Sequence, residues 1–377
     1  MAGLYLHLPF CRSKCHYCDF YSRPLPAPQA LQRYVTALCR DLQTASLPPS
    51  LTALPLTSLF FGGGTPSLLT LAQLEQLLTA SRARLGWADD IEISLEVNPA
   101  TVDDAWLRGA RRLGLNRLSV GVQCFDDTVL QRLGRCHDGA AAVALVQAAR
   151  QAGFDNIGLD LMFAVPGLPP HGQLEWVKRL APEHLSLYGL TIEPGTPLAH
   201  EAAAGRFTAV AEEDYCAQYL FWHEQLSALG YDHYEIANYA RPGHVCRHNL
   251  AYWQRRPYLG LGAGAHSFFA EDQGQRWAAD DDWHGYCRAI ETGIAPRHLI
   301  ETFSADQARS EWVYLRLRTA AGVDEVEFRQ LFGADFASCF AAAVQFCGSR
   351  LQRQQGVWRM AAPDWLLFDH LISPFLS

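Results

Sequence analysis

Cys11, Cys15 and Cys18 stand three and then two residues apart in the stretch HLPFCRSKCHYCDFYSRP. Three thiolates so spaced can wrap around one metal centre. Structural zinc takes four Cys or His ligands, often as paired C-x2-C units far apart in sequence, and His16 or His7 is at hand as the fourth. A fully protein-bound [4Fe-4S] cluster takes four cysteines, so three leave one iron open to an exchangeable ligand. Three unliganded cysteines are the remaining reading. The next position of the run, where a fourth cysteine is conceivable, is Phe20.

A second set of residues is spread along the chain. Gly62, Gly63 and Gly64 follow an apolar run and can take backbone conformations closed to other residues, letting a ligand approach the main chain. No Gly-Lys-Ser/Thr follows, so this is not a phosphate-binding P-loop. Glu96, Gln123 and Asp160 each fall toward the end of a strand-like segment. A carboxylate there suits ribose hydroxyls or an ammonium group. Far downstream, His248-Asn249-Leu250-Ala251-Tyr252-Trp253 joins an imidazole, a common axial ligand of haem iron, to flat aromatic faces. Tyr258 adds another ring, and Arg247, Arg255 and Arg256 could pair with carboxylates. The plainer reading is that His248 and Asn249 brace a loop while the aromatics pack as core. His266, in the glycine-rich YLGLGAGAHSFF, is a further candidate contact; that stretch is expected to be a loop whose glycines permit close backbone packing.

The elements that must position these groups alternate. Strand-like runs at residues 3–8, 56–62, 91–97, 117–123, 156–163 and 184–191 are separated by amphipathic segments at 71–85, 103–113, 140–152 and 171–180. Thr70 to Gln73 has the pattern of a capping box at the start of a helix. Such alternation predicts βαβ units and a parallel sheet buried on both faces. About six units are too few for a closed eight-fold barrel and fit a partial (β/α)6 barrel, an α/β fold with functional residues at the C-terminal ends of its strands. A helix at 212–229 leads into the strand-like YDHYEIANY. After about Gly293 the pattern turns mainly helical, with GVWRMA as a small wing. The expected division is residues 1–300 for the barrel and 301–377 for a small, winged-helix-like C-terminal domain.

Composition narrows the class. The chain has 377 residues, 19% charged and 49% hydrophobic, an ordinary globular balance. A net charge of −8 argues against a nucleic-acid partner. Arg108, Arg111, Arg112 and Arg117 read as the solvated face of a helix and its exit. Eleven cysteines without a regular framework argue against a secreted disulfide scaffold. With no secretory leader ahead of the cysteines and no long apolar run, a cytoplasmic protein is expected. No apolar heptad supports a homodimer, which is left open.

The C-x3-C-x2-C signature at Cys11, Cys15 and Cys18 resembles that of the radical S-adenosylmethionine (SAM) superfamily, whose open iron binds SAM and whose cluster can cleave it to a 5′-deoxyadenosyl radical. YLHLPFC, GGGTP, LEVNP, GVQ, Arg135, GLDLMFAVPGLP and the C-terminal region together resemble the anaerobic coproporphyrinogen oxidase (HemN-like) family over essentially the whole chain. The resemblance implies that the three cysteines hold the cluster, that Tyr5, Gly63 and Glu96 line the SAM site, and that Gly64, Thr65, Gln123, Arg135 and Asp160 match contacts to a second SAM in the decarboxylase.

Two activities exist in that family: oxidative decarboxylation of coproporphyrinogen III, and haem binding with transfer to acceptor proteins in the HemW branch. The resemblance implies a fourth cysteine, C-x3-C-x2-C-x-C, in the decarboxylase branch, whereas this chain has Phe20 at that position, the pattern of the HemW branch. That branch also has an N-terminal extension ahead of its cluster, which here begins at residue 11. The HNLAYW segment resembles the H-N-x-x-Y-W sequence associated with haem binding in HemW, which implies a tentative haem site at His248, Asn249, Tyr252 and Trp253. The expectation is therefore a haem chaperone with a [4Fe-4S] cluster, SAM and haem as cofactors. Its partners would be an electron donor and haem-accepting apoproteins, membrane respiratory enzymes among them. The alternative is the porphyrinogen oxidase.

Overall fold

The computed structural model describes residues 2–376. The chain begins with β1 (Ala2–Leu8), then the short parallel pair β2 (Phe10–Cys11) and β3 (Arg23–Pro24), which ties the neck of the cysteine loop. The main strands follow: β4 (Leu56–Gly63), β5 (Trp87–Val97), β6 (Arg117–Gln123), β7 (Ile157–Phe163) and β8 (His184–Gly189). A hairpin of β9 (Asp232–Glu235) and β10 (Asn238–Ala240) comes next, then β11 (Tyr258–Leu261), β12 (His266–Phe269), β13 (Gln275–Ala279) and β14 (Arg297–Thr302). All but β2 and β3 of these form one 12-stranded sheet, in the order β14-β13-β12-β11-β1-β4-β5-β6-β7-β8-β10-β9.

From β11 through β1 to β8 every neighbouring pair is parallel, and the additions at both ends are antiparallel. This is the partial α/β barrel that the alternating pattern predicts. One expectation is corrected here. Residues 258–269 are not a loop: they form β11, a tight turn and β12, with β11 pairing in parallel with β1. The glycines do permit close packing, since a Cβ on Gly262 would lie 2.6 Å from the His7 carbonyl oxygen and the Tyr34 hydroxyl.

The helices start where side chains satisfy their free N–H groups. Thr70 and Gln73 form the expected capping box on the helix Leu71–Leu85, and Asp103 caps the helix Asp104–Arg112. Leu74, Leu77 and Leu78 on the first, and Leu107 and Ala110 on the second, turn onto the sheet. There they meet Leu59, Phe61, Leu95, Val97, Leu118 and Val120 in the main core.

The opposite face of the strands is different. Register places Ser58 beside Glu92, Ser94 beside Arg117, Glu96 beside Ser119, and Asp160 between Gly121 and Ser186. A parallel sheet covered by helices on both faces would be apolar on both. This one alternates apolar-out and polar-in, as a barrel with a ligand-holding interior does. Arg117, expected on a solvated face, belongs to that interior: it is 2% exposed and donates to Asn156 Oδ1 and the His244 carbonyl. Its position in β6 turns it inward, whereas Arg108 on the preceding helix is exposed.

Beyond the sheet, the helix Ala305–Leu317 precedes a small sheet of β15 (Val323–Asp324), β16 (Leu351–Gln354) and β17 (Val357–Met360), with short helices around it. The expected wing is β16 and β17, which pair antiparallel. No helix among the described residues is long and apolar enough to cross a membrane.

Candidate cluster and nucleoside site

The cysteine loop leaves the C-terminal end of β1 and is fastened from several sides. Arg23 donates its backbone N–H to the Pro9 carbonyl, and Leu25 to that of Cys11. His16 bonds through its backbone N–H to the Leu133 carbonyl and through Nδ1 to that of Arg132. The three cysteines are free thiols, partly exposed. Burial pushes the Cys11 and Cys18 thiols up, and the neighbouring Cys15 adds to both shifts. Thr65 Oγ1 donates to Cys11 Sγ at 3.5 Å and Arg135 Nη1 to Cys15 Sγ at 3.2 Å. No three His, Cys, Asp or Glu side chains among the described residues converge tightly enough to hold a single metal ion.

Gly64 shows that the cradle is built to closest approach. A Cβ there would lie 2.8 Å from the Phe10 backbone nitrogen and oxygen and 2.9 Å from Cys11 Sγ. Gly63 has φ +116, a conformation that L side chains rarely adopt, and donates its N–H to Glu96 Oε2 at 3.0 Å.

Glu96 and Asp160 face the same interior, and neither forms an ion pair among the described residues. Burial, reinforced by Asp160, pushes Glu96 up to about 8. Burial also raises Asp160, to about 6, against hydrogen bonds from Ser119 and Ser186 and the charges of Arg117 and Arg135. A ligand bearing an ammonium or sulfonium would relieve both carboxylates.

Gln123 ends β6 at φ +67, where the β6–β7 register slips between Gly121 and Gln123. A non-glycine residue held in that region at a strand end is the kind of strain found at ligand sites. Arg135 reaches the same spot, with Nη2 donating to Asn98 Oδ1 at 2.7 Å and to the Gly121 carbonyl at 2.6 Å. Its Nε is buried with no hydrogen-bond partner among the described residues. Asn98 Nδ2 donates to Thr65 Oγ1. Tyr5 completes the floor, its hydroxyl 2.9 Å from His7 Nδ1.

The donor types suit a three-cysteine cluster with an adjoining nucleoside ligand: three free thiols on one loop, Cys11 against the Gly64 cradle, an arginine with a spare N–H beside Cys15, and two buried carboxylates nearby. Tyr5, Gly63, Gly64, Thr65, Glu96, Gln123, Arg135 and Asp160 are brought into one neighbourhood with Cys11, Cys15 and Cys18. Asn98, Ser119 and Ser186 belong there too, although the reading of the sequence did not single them out. Asn98 lies in the quoted LEVNP, and Ser119 alternates with Gly121 and Gln123 on β6, which was the available signal.

The downstream segment lies elsewhere. His248 sits on the helix Arg247–Trp253, packed toward the N-terminal ends of β1 and β4, away from the cysteines. Its imidazole is 1% exposed, with Nδ1 2.9 Å from Ser58 Oγ and Nε2 2.7 Å from the Tyr252 hydroxyl. Burial lowers it to about 3. Glu92 Oε2 and Oε1 accept the backbone N–H groups of Arg247 and His248, fixing the helix under the barrel. In this conformation both ring nitrogens are engaged. Asn249 is half-buried on the same helix. Tyr252 and Trp253 line a cavity of about 210 Å³ together with Arg255, Arg256, Tyr258, Phe268, Arg276, Glu311 and Leu315. Arg247 is not among them and pairs with Asp90 instead. His266 is exposed on β12.

Comparison with known proteins gives the family and the fold. The Radical SAM superfamily matches residues 5–180. The chain is 36% identical to the heme chaperone HemW of Synechocystis over 355 residues, 91% of this chain and 84% of that protein. It is 40% identical to the heme chaperone HemW of Escherichia coli over 269 residues, 70% of this chain and 69% of that one. The solved structure of coproporphyrinogen III oxidase (HemN) from Escherichia coli, described as a radical SAM enzyme, superposes with a TM-score of 0.84. It covers 100% of this chain and 90% of that chain at 24% identity, a likeness of fold.

Proposed function

Since the chain belongs to the HemW family of the radical SAM superfamily, we propose that it binds haem and passes it to acceptor proteins. In this reading Cys11, Cys15 and Cys18 hold a [4Fe-4S] cluster whose open iron takes SAM. The bound group supplies one-electron chemistry at that iron, with an electron donor as partner. The chain's own part is positional. Gly63 and Gly64 let the ligand approach the backbone, Glu96 and Asp160 balance its positive charge, and Arg135 with Gln123 closes the side next to Cys15. Haem is held at the other end of the barrel, along the helix bearing His248, Asn249, Tyr252 and Trp253. Residues 1–300 carry the cluster, and residues 301–377 close the seam on the haem side. Haem-accepting apoproteins, membrane respiratory enzymes among them, receive the cargo from a cytoplasmic carrier.

The observation that carries this reading over the porphyrinogen oxidase is the end of the cysteine loop. Phe20, at the place of a fourth cysteine, is 74% exposed and supplies no ligand. Anaerobic reconstitution with iron and sulfide analysis, haemin titration followed at the Soret band, and an assay of coproporphyrinogen III decarboxylation test it together. A cluster with specific haemin uptake and no decarboxylation is expected. Decarboxylation without haemin uptake would assign the oxidase, and stoichiometric zinc without sulfide would remove the cluster.

A further inference from the structure

The cavity beside Tyr252 has an unusual charge balance. It is lined by the guanidiniums of Arg255, Arg256 and Arg276 and by one carboxylate, Glu311. Arg255 Nε donates to Glu311 Oε2 at 2.5 Å, and Arg276 Nη2 donates to the other oxygen of the same carboxylate. Arg276 has a second, longer contact to Glu301 at 3.5 Å. Arg256, exposed, has no ion-pair partner among the described residues, and Arg316 lies near enough for the two charges to repel. Trp253, also in the lining, has its indole N–H buried without a hydrogen-bond partner among the described residues.

The remaining lining is aromatic. Tyr252 and Tyr258 meet edge to face at 4.5 Å, and Phe268 lies under the Arg255 guanidinium at 4.6 Å. The cavity stands at a seam: Glu311 and Leu315 come from the helix Ala305–Leu317, and the other residues from the barrel side. Its volume, about 210 Å³, is below the roughly 300–1,000 Å³ of pockets that enclose a drug-sized ligand. It therefore admits the edge of a large flat molecule and leaves the rest outside.

We propose that this cavity is the clamp for the carboxylate-bearing edge of a tetrapyrrole, with Arg256 and Arg276 pairing the propionates and Tyr252, Trp253 and Tyr258 against the ring. The assignment rests on the haem-carrier reading and adds to it Arg276, Phe268 and Glu311, residues separated widely in sequence from the His248 helix. Glu311 holds Arg255 and Arg276 in place, so Arg276 is already oriented before a ligand carboxylate arrives, while Arg256 is free to swing onto it. The clamp also spans the seam, so a bound ligand touches the helix Ala305–Leu317 as well as the barrel.

Haemin titration of the full-length, reconstituted protein tests this, with haemin dimethyl ester as the second probe. Arg256→Gln and Arg276→Gln are each expected to weaken haemin binding about tenfold, the value of one charge-assisted hydrogen bond. The ester should bind the wild type about as weakly as haemin binds the double variant. Arg256 has no ion pair to lose, so Arg256→Gln decides the matter if Arg276→Gln lowers stability. Wild-type haemin affinity in both single variants and the double variant overturns the clamp while leaving the haem-carrier reading intact. A wild type that takes up neither probe overturns both.

Discussion

The imidazole of His248 is stacked against the phenol of Tyr5, with ring centroids 6.3 Å apart and planes 27° from parallel. Phe60 packs beside both rings, 5.1 Å from His248 and 6.2 Å from Tyr5. Tyr5 borders the candidate nucleoside site and His248 lies on the helix proposed to hold haem, so this three-ring cluster puts the two in contact. His248→Ala should leave a cavity and strand the Ser58 and Tyr252 hydroxyls, costing about 3 kcal/mol. It should also loosen Tyr5 and weaken SAM binding. Urea denaturation and equilibrium dialysis of labelled SAM measure the two effects. Unchanged stability with a lost Soret band would assign the ring to the haem iron instead.

Gly64→Ala should block cluster assembly without unfolding the barrel, because the added methyl collides with the Phe10 backbone and Cys11 Sγ. Iron and sulfide per chain after anaerobic reconstitution are expected to fall several-fold. Gly172→Ala is the matched control, since a Cβ there meets nothing within 4 Å. Full iron content in Gly64→Ala would show that the loop has room to spare.

Arg117 and Arg108 give opposite expectations for the same substitution. Arg117→Leu removes a buried cation from beside Glu92 and leaves Asn156 and the His244 carbonyl without their donor. Loss of a partner from a buried charged network costs about 3–5 kcal/mol. Arg108, exposed and 3.9 Å from Asp104, should change stability by about 0.5 kcal/mol or less. Equal midpoints in urea for the two variants would contradict the buried role.

Stability should fall on both sides of neutrality in the ligand-free protein. His248 and His233 are pushed by burial from 6.5 to about 3, so the unfolded chain binds the extra protons. Their contribution is fully present above pH 6.5 and lost as the pH falls toward 3, at about 1.4 kcal/mol per pH unit for each. Glu96 works the other way. Raised from 4.5 to about 8, it favours the folded state below pH 4.5, and that contribution is lost as the pH rises through 8. Urea midpoints across pH should show both limbs. Glu96→Gln should flatten the alkaline limb, and an unchanged slope would locate it elsewhere.

Much of this protein is written locally in its sequence. The cysteine spacing marks the candidate cluster loop, because three thiols this close in sequence can be wrapped around one centre by a single short loop. The main strands and the helix Leu71–Leu85 follow from periodicity and from the Thr70–Gln73 capping box, both short-range signals. Phe20 likewise speaks from its place in the run. Long-range pairing decided the rest. Arg117 looks like a helix exit until β6 takes its register between β5 and β7 and points it inward. Residues 258–269 read as a glycine loop until β1 offers β11 a parallel partner. His248, with Tyr252 beside it, looks like an open ligand until Ser58 and Glu92, from distant strands, take up the ring and its backbone. The arginine cavity needs Arg255, Arg276 and Glu311 to meet across the seam. No local pattern encodes such meetings, since the closure of the sheet and the docking of a later helix create them.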